Sequence, residues 1–297
     1  MRRSAVYGAI WEMSVYPRTT YSKRQGDLKM VKRKGFTLIE LLVVIAIIAL
    51  LMAILMPSLA RVKRQAQSIA CQAKLRQWGL AFKFYTDDNN GYFNRREREL
   101  WMEAMRPYYN DNPDMLLCPT ATRLMLNSSD WGTFKAATNI GFVFSYGINS
   151  WTNNNAGDRS GGRMVEWFWK NVQNNTCVAP GTRTSTGKLV SANQIPVFGD
   201  STWYDAWPQH VDEPVPYPDG FGIGNRGTTG EMNHFSIDRH NGFVNLVFMD
   251  WSARHVGLKE LWTLKWNRAF DTNGPWTKTG GVLPGDWPVW LKLYKDY

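Results

Sequence analysis

From Phe36 to Met56 the chain runs twenty-one residues with a single charged side chain, Glu40. As a helix rising ~1.5 Å per residue the run is about 31 Å long, enough to cross a hydrocarbon core. It is longer than the apolar core of a secretory signal, about 7–15 residues. Lys32, Arg33 and Lys34 precede it. The positive-inside bias therefore places the N-terminus in the cytoplasm and the large C-terminal part outside. A carboxylate at the centre of a bilayer costs roughly 2.5–3.5 kcal/mol. Glu40 stands near the cytoplasmic end of the span, so its cost is smaller, yet it favours any state that offers a positive partner. The plainer reading is an interfacial acid tolerated in a simple anchor.

Beyond Pro57 the pattern turns amphipathic. Val62, Ala66, Ile69, Ala73, Leu80 and Phe84 recur at helical spacing, with Arg61, Lys63, Arg64, Lys74, Arg76 and Lys83 between them. One helix is expected from about Phe36 to Tyr85, ended by the turn-favouring run Asp87-Asp88-Asn89-Asn90-Gly91. Its first half is a membrane spine. Its second half is expected to bury the apolar stripe under a globular head.

The formal charge of the 297-residue chain is +10, but residues 1–35 hold nine Lys/Arg against two acids. Subtracting them leaves 26 basic and 23 acidic residues, a net +3. Most of the basicity belongs to residues 1–35, so it gives no ground for a nucleic-acid partner. The remaining 87–297 segment is ample for one core-bearing domain. Glu97–Tyr108 reads as a short helix. Ile140–Ile148, Ile195–Phe198, Phe243–Met249 and Ala253–Val256 read as strands. Polar stretches at Asn153–Gly162 and Asn174–Gly187 separate them. Pro208–Gly230, rich in proline and glycine, reads as a functional or interface loop. Trp262, Trp266, Trp276, Trp287 and Trp290 are expected to pack back on the sheet.

Gly35-Phe36-Thr37-Leu38-Ile39-Glu40-Leu41-Leu42-Val43-Val44-Ile45-Ala46-Ile47-Ile48 resembles the class III signal of type IV pilins and type II secretion pseudopilins. The resemblance implies that a prepilin peptidase cuts between Gly35 and Phe36 and that Phe36 is then N-methylated. It implies that Glu40 neutralises the Phe36 amine of a neighbouring subunit. That role agrees with the electrostatics of an ammonium and a carboxylate relieving each other's burial. Pro57 stands where this family often has a helix-kinking proline. Met30 is an in-frame start, so residues 1–29 are either a long leader or an over-extended start. Arg239-His240-Asn241-Gly242, continuing through Asp250, is similar to the H-X9-DG segment of pilin-like proteins of planctomycete-type bacteria. His240 and Asp250 keep the spacing, and Trp251 replaces the glycine. Tryptophan tolerates positive φ poorly, so a turn of another type, or one residue longer, is expected. Met115–Pro119 and Ser145–Asn149 look like the same group.

Little else points to chemistry. His240 and Asp250, at opposite ends of one strand, stand some 30 Å apart if the strand is straight, so hydrogen bonding of turns is the better reading than a catalytic pair. Neither ligand-spaced histidines, a phosphate loop nor a nucleophile elbow is present, which excludes the familiar hydrolase signatures. Cys118 and Cys177 are either a disulfide of the exported domain or free thiols. Asp200, Asp205, Asp212, Glu213 and Asp219 offer hard oxygen ligands for calcium, but a solvated acidic loop is the favoured reading without an EF-hand pattern. Trp203, Tyr204, Trp207, Tyr217 and Phe221 suit sugar stacking or, preferably, packing within the chain or between subunits.

The expected class is α+β: a long N-terminal membrane-spanning helix whose C-terminal half packs against an antiparallel β-sheet head. The domains are a 1–35 leader, a 36–56 span, a 57–86 amphipathic continuation and an 87–297 head with the H-X9-D segment at 240–250. The expected function is a non-enzymatic, cofactor-free pilin-like subunit. Its expected partners are prepilin peptidase, other pilin or pseudopilin subunits, an inner-membrane assembly platform and lipid. A membrane-anchored polysaccharide-binding module is the alternative.

Overall fold

The computed structural model describes residues 36–89, 91, 93, 100–125, 132–139, 141–152, 190–218 and 230–297. Gly35, Cys177, Asp219 and Phe221 lie outside the described residues, as do the 153–162 and 174–187 stretches. The chain divides into two units, Met1–Ala53 and Ile54–Tyr297. Helix α1 spans Leu38–Asp88. This helix is long and apolar enough to cross a membrane, and its N-terminal part, as far as Ala53, is exposed throughout.

In the second unit α1 runs on through Pro57. Proline gives no N–H to the turn before it. Ser58 Oγ donates to the Leu55 carbonyl at 2.8 Å. The buried face of α1 is Cys71, Leu75, Trp78, Gly79, Ala81, Phe82 and Thr86. This corrects the expected stripe, because Val62, Ile69, Leu80 and Phe84 are exposed. Both sets recur at helical spacing, and periodicity alone cannot choose between two apolar faces. The choice falls to bulk, since Trp78 and Phe82 supply the ring surface that fills the head.

The head has a five-stranded sheet in the order β6-β4-β5-β7-β8. The strands are β4 (Tyr146–Asn149), β5 (Pro196–Asp200), β6 (Asp205–Ala206), β7 (Phe243–Phe248) and β8 (Ala253–Gly257). A smaller sheet joins β1 (Arg123–Leu124), β2 (Lys135–Asn139) and β3 (Phe142–Phe144). The antiparallel expectation holds for the central pairs but not at the edges, where β1 pairs with β2 and β4 with β6 in parallel. Those edge partners are two residues long, so they are set by where the loop docks rather than by a hairpin. The Glu97–Tyr108 helix is in fact two single turns among the described residues, α2 (Trp101–Ala104) and α3 (Arg106–Tyr109).

α1 packs on β5 through aromatic rings. Trp78 and Phe82 lie 5.3 and 5.1 Å from Phe198, centroid to centroid, and Trp101 lies 4.7 Å from it edge-on. Two of the C-terminal tryptophans hydrogen-bond the 208–218 loop. Trp262 Nε1 donates to the Asp212 carbonyl at 2.8 Å and Trp290 Nε1 to that of Val215 at 2.9 Å.

The β7–β8 turn contains Asp250, whose Oδ1 accepts from Ser252 N and Oγ at 3.0 and 2.6 Å. Trp251 itself takes φ 66°. The turn is not rebuilt for the missing glycine, contrary to expectation. The left-handed conformation costs roughly 1–2 kcal/mol, and the Trp251 ring offsets part of this by packing 5.9 Å from Phe93. Gly79 lets α1 approach this turn: a Cβ there would stand 2.7 Å from the Trp251 carbonyl oxygen. Elsewhere in a helix Gly→Ala stabilises by about 1 kcal/mol. Here the sign reverses, and Gly79→Ala is expected to lose about 1–3 kcal/mol by overpacking, read from urea denaturation of the detergent-purified chain.

Candidate assembly site and a buried polar cluster

Thr37 is the N-cap of α1, and Glu40 stands at its third helical position. Glu40 N–H donates to Thr37 Oγ1 at 3.2 Å, while Glu40 Oε2 accepts from Thr37 N and Oγ1, both at 2.8 Å. The Thr-x-x-Glu spacing thus closes a capping box. Sequence reasoning treated Glu40 only as a lone acid, although the spacing was readable. The carboxylate satisfies its own helix end through one oxygen. Oε1 has no hydrogen-bond partner among the described residues. Phe36, Leu38 and Ile39 around it are 71%, 87% and 73% exposed.

The motif fragments of the head converge on a second place. Asp200, at the end of β5, is wholly buried. His240 Nε2 lies 3.0 Å from its Oδ2, and Arg239 Nη1 lies 3.3 Å from its Oδ1. Asn245 N–H also donates to Oδ2 at 2.8 Å. Arg239 further donates to the carbonyls of Thr133, Ser145 and Ser201 at 2.8, 2.5 and 3.1 Å. One guanidinium therefore ties three loops to one carboxylate. Ser145 Oγ accepts from Cys118 N at 2.6 Å, which joins the two fragments that resembled the same group. Cys71 Sγ, from α1, lies 3.3 Å from Tyr146 Oη and 3.6 Å from Asp200 Oδ1. Cys118 Sγ lies 3.5 Å from His240 Nε2.

Burial opposes charge on both members of the central pair, and their mutual attraction wins. Asp200 is held well below the usual carboxylate range by His240 and Arg239. His240 is lifted to about 10 by Asp200. Burial pushes the Cys71 thiol up. Cys118, despite its burial, is drawn down by the Cys71 and His240 contacts. His240 Nδ1 is buried and without a partner among the described residues.

His240 and Asp250 do stand at opposite ends of β7, with separate partners. Asp250 organises its own turn, as expected, whereas His240 reaches Asp200 across the core. Among the described residues the oxygen ligands offered for calcium form no common group. Asp200 is in this cluster, and Asp205 accepts from Ser150 Oγ at 3.0 Å. Asp212 Oδ2 accepts from Gln209 N at 2.9 Å and Met232 N at 2.8 Å. Burial raises Asp212 to about 6. Cys118 lies beside Cys71, both as free thiols, and its expected partner Cys177 is not among the described residues. Trp203 packs 5.0 Å from Tyr204, and Trp207 5.0 Å edge-on to Trp151, so these rings face the chain itself.

Residues 30–56 match the family of the prokaryotic N-terminal methylation motif. Over 63 residues the chain is 46% identical to the type IV wide pilus major component PilA4 of Thermus thermophilus. The match covers 21% of this chain and 48% of that protein, so the chain spans about half the length of the relative it matches. No solved structure matches. The N-terminal part of the chain thus carries a prokaryotic methylation motif and is similar to a type IV pilin.

Proposed function

We propose that the chain is a subunit of a type IV pilus or of a type II secretion pseudopilus, processed by prepilin peptidase between Gly35 and Phe36. In this reading α1 anchors the subunit in the inner membrane, with the head outside, until an assembly platform lifts it into the filament. The observation that carries the reading is the start of α1. The capping carboxylate has one oxygen without a hydrogen-bond partner among the described residues, in a segment exposed from Phe36 through Ala66. Such apolar surface is covered by lipid before assembly and by neighbouring helices after it. In the second unit Val62, Ile69, Leu80 and Phe84 are exposed as well. In the filament, Glu40 accepts the N-terminal ammonium of Phe36 from an adjacent subunit, which fixes the axial register.

Processing is tested by mass spectrometry of the chain isolated from its host. The expected N-terminal peptide begins with N-methyl-Phe36. A chain that retains Gly35 in a host with active peptidase contradicts the proposal.

A further inference from the structure

Four side chains from four separated segments meet in the buried cluster. Cys71 comes from α1, Cys118 from the loop before β1, Asp200 from the end of β5 and His240 from the turn before β7. Their ligand atoms all lie within 4.8 Å of one another, and all four residues are buried. A tetrahedral zinc site has Zn–S of about 2.3 Å and Zn–N or Zn–O of about 2.0–2.2 Å. Tetrahedral angles then set edges of roughly 3.4 Å between N and O, and roughly 3.6 Å between S and either. The chain has 3.0 Å from His240 Nε2 to Asp200 Oδ2, 3.5 Å from Cys118 Sγ to His240 Nε2, and 3.7 Å from Cys71 Sγ to Asp200 Oδ2. The two edges to sulfur match, the N–O edge is shorter because it is now a direct ion pair that a bound cation would open, and the remaining edges lie within 4.8 Å. We propose that Cys71, Cys118, Asp200 and His240 bind one divalent cation of the zinc class, which pins the C-terminal half of α1 to the head.

The donor set favours such an ion over calcium, because thiolates are soft ligands and calcium takes oxygen. Charge balances as well. Binding displaces the protons of the thiols and of His240 Nε2, so that with a neutral imidazole the two thiolates and the Asp200 carboxylate offset the dication and the Arg239 guanidinium. An outer shell is already in place: Arg239 and the Asn245 amide hold the carboxylate. Tyr146 Oη lies 3.3 Å from Cys71 Sγ, and Thr120 Oγ1 3.0 Å from Cys118 Sγ.

The test uses the full chain purified in detergent, under reductant and without chelator. Elemental analysis is expected to give one zinc per chain, and X-ray absorption a shell containing two sulfurs. Replacing zinc by cobalt(II) is expected to produce thiolate-to-cobalt charge-transfer absorption. Cys118→Ser should abolish stoichiometric binding; because a buried substitution can also disrupt folding, the wild-type chain carries the decision. Its urea midpoint should fall on chelation and recover when zinc is restored. Reduced wild-type protein that takes up neither zinc nor cobalt overturns the proposal. So does a zinc shell without sulfur, or a Cys71–Cys118 disulfide found in the native chain by non-reducing peptide mapping.

Discussion

Glu40→Leu is expected to leave membrane insertion intact and to cut incorporation into filaments by about a hundredfold. The direction separates two accounts. Removing an acid from the span lowers the cost of insertion, so a chain that depended on anchoring alone would perform as well or better. If Glu40 instead offsets a buried ammonium from a neighbour, its loss leaves that charge uncompensated, at roughly 3 kcal/mol or more per contact, and each 1.4 kcal/mol is about tenfold in an equilibrium. Glu40→Gln sharpens the test, because Gln also closes a capping box with Thr37. Gln preserves the helix end and removes only the charge. It is expected to fail as Leu does, and normal incorporation of Glu40→Gln would reduce the residue to a helix cap. The readout is the share of head antigen in sheared filaments against the share in membranes.

The second large effect concerns the head. Asp200→Ala is expected to cost about 3–5 kcal/mol, because it strands a buried guanidinium and a buried imidazole that face the same carboxylate. Domain stabilities are about 5–15 kcal/mol, so this takes a large share and should bring proteolysis of the head in the host. Denaturation of the detergent-purified chain by tryptophan fluorescence measures it. A loss below about 1 kcal/mol would mean that water, rather than Asp200, compensates Arg239.

The N-terminal half of this architecture was legible because its constraints are local. A long apolar run reads as a span, and Thr37 and Glu40 are three residues apart. Strands β7 and β8 were legible for the same reason: apolar and β-branched runs flank one turn, and the observed limits differ from the reading by a residue. The Lys135–Asn139 strand was missed. Its two alanines, threonine and asparagine carry no alternation, and it is a strand because Ala137 and Thr138 pair with Phe144 and Val143. The face of α1 was misjudged because two apolar stripes share one helix, and only the head decides between them. The polar cluster was the least legible part. Cys71, Cys118, Asp200 and the adjacent pair Arg239-His240 have no short-range spacing in common. In the sequence Asp200 reads as one of several loop acids, Cys118 as half of a disulfide and His240 as a turn residue. What joins them is the crossing of β5 under α1, a property of the topology.

The central claim is that the exposed apolar start of α1 is covered, in the working state, by other subunits. Quantitative mass spectrometry of filaments sheared from the host, set against its washed membranes, tests it most directly. Peptides of the 230–297 region are expected in the filament fraction, together with an N-terminal peptide starting at Phe36. Head peptides confined to the membrane fraction of a host that does make filaments would contradict it.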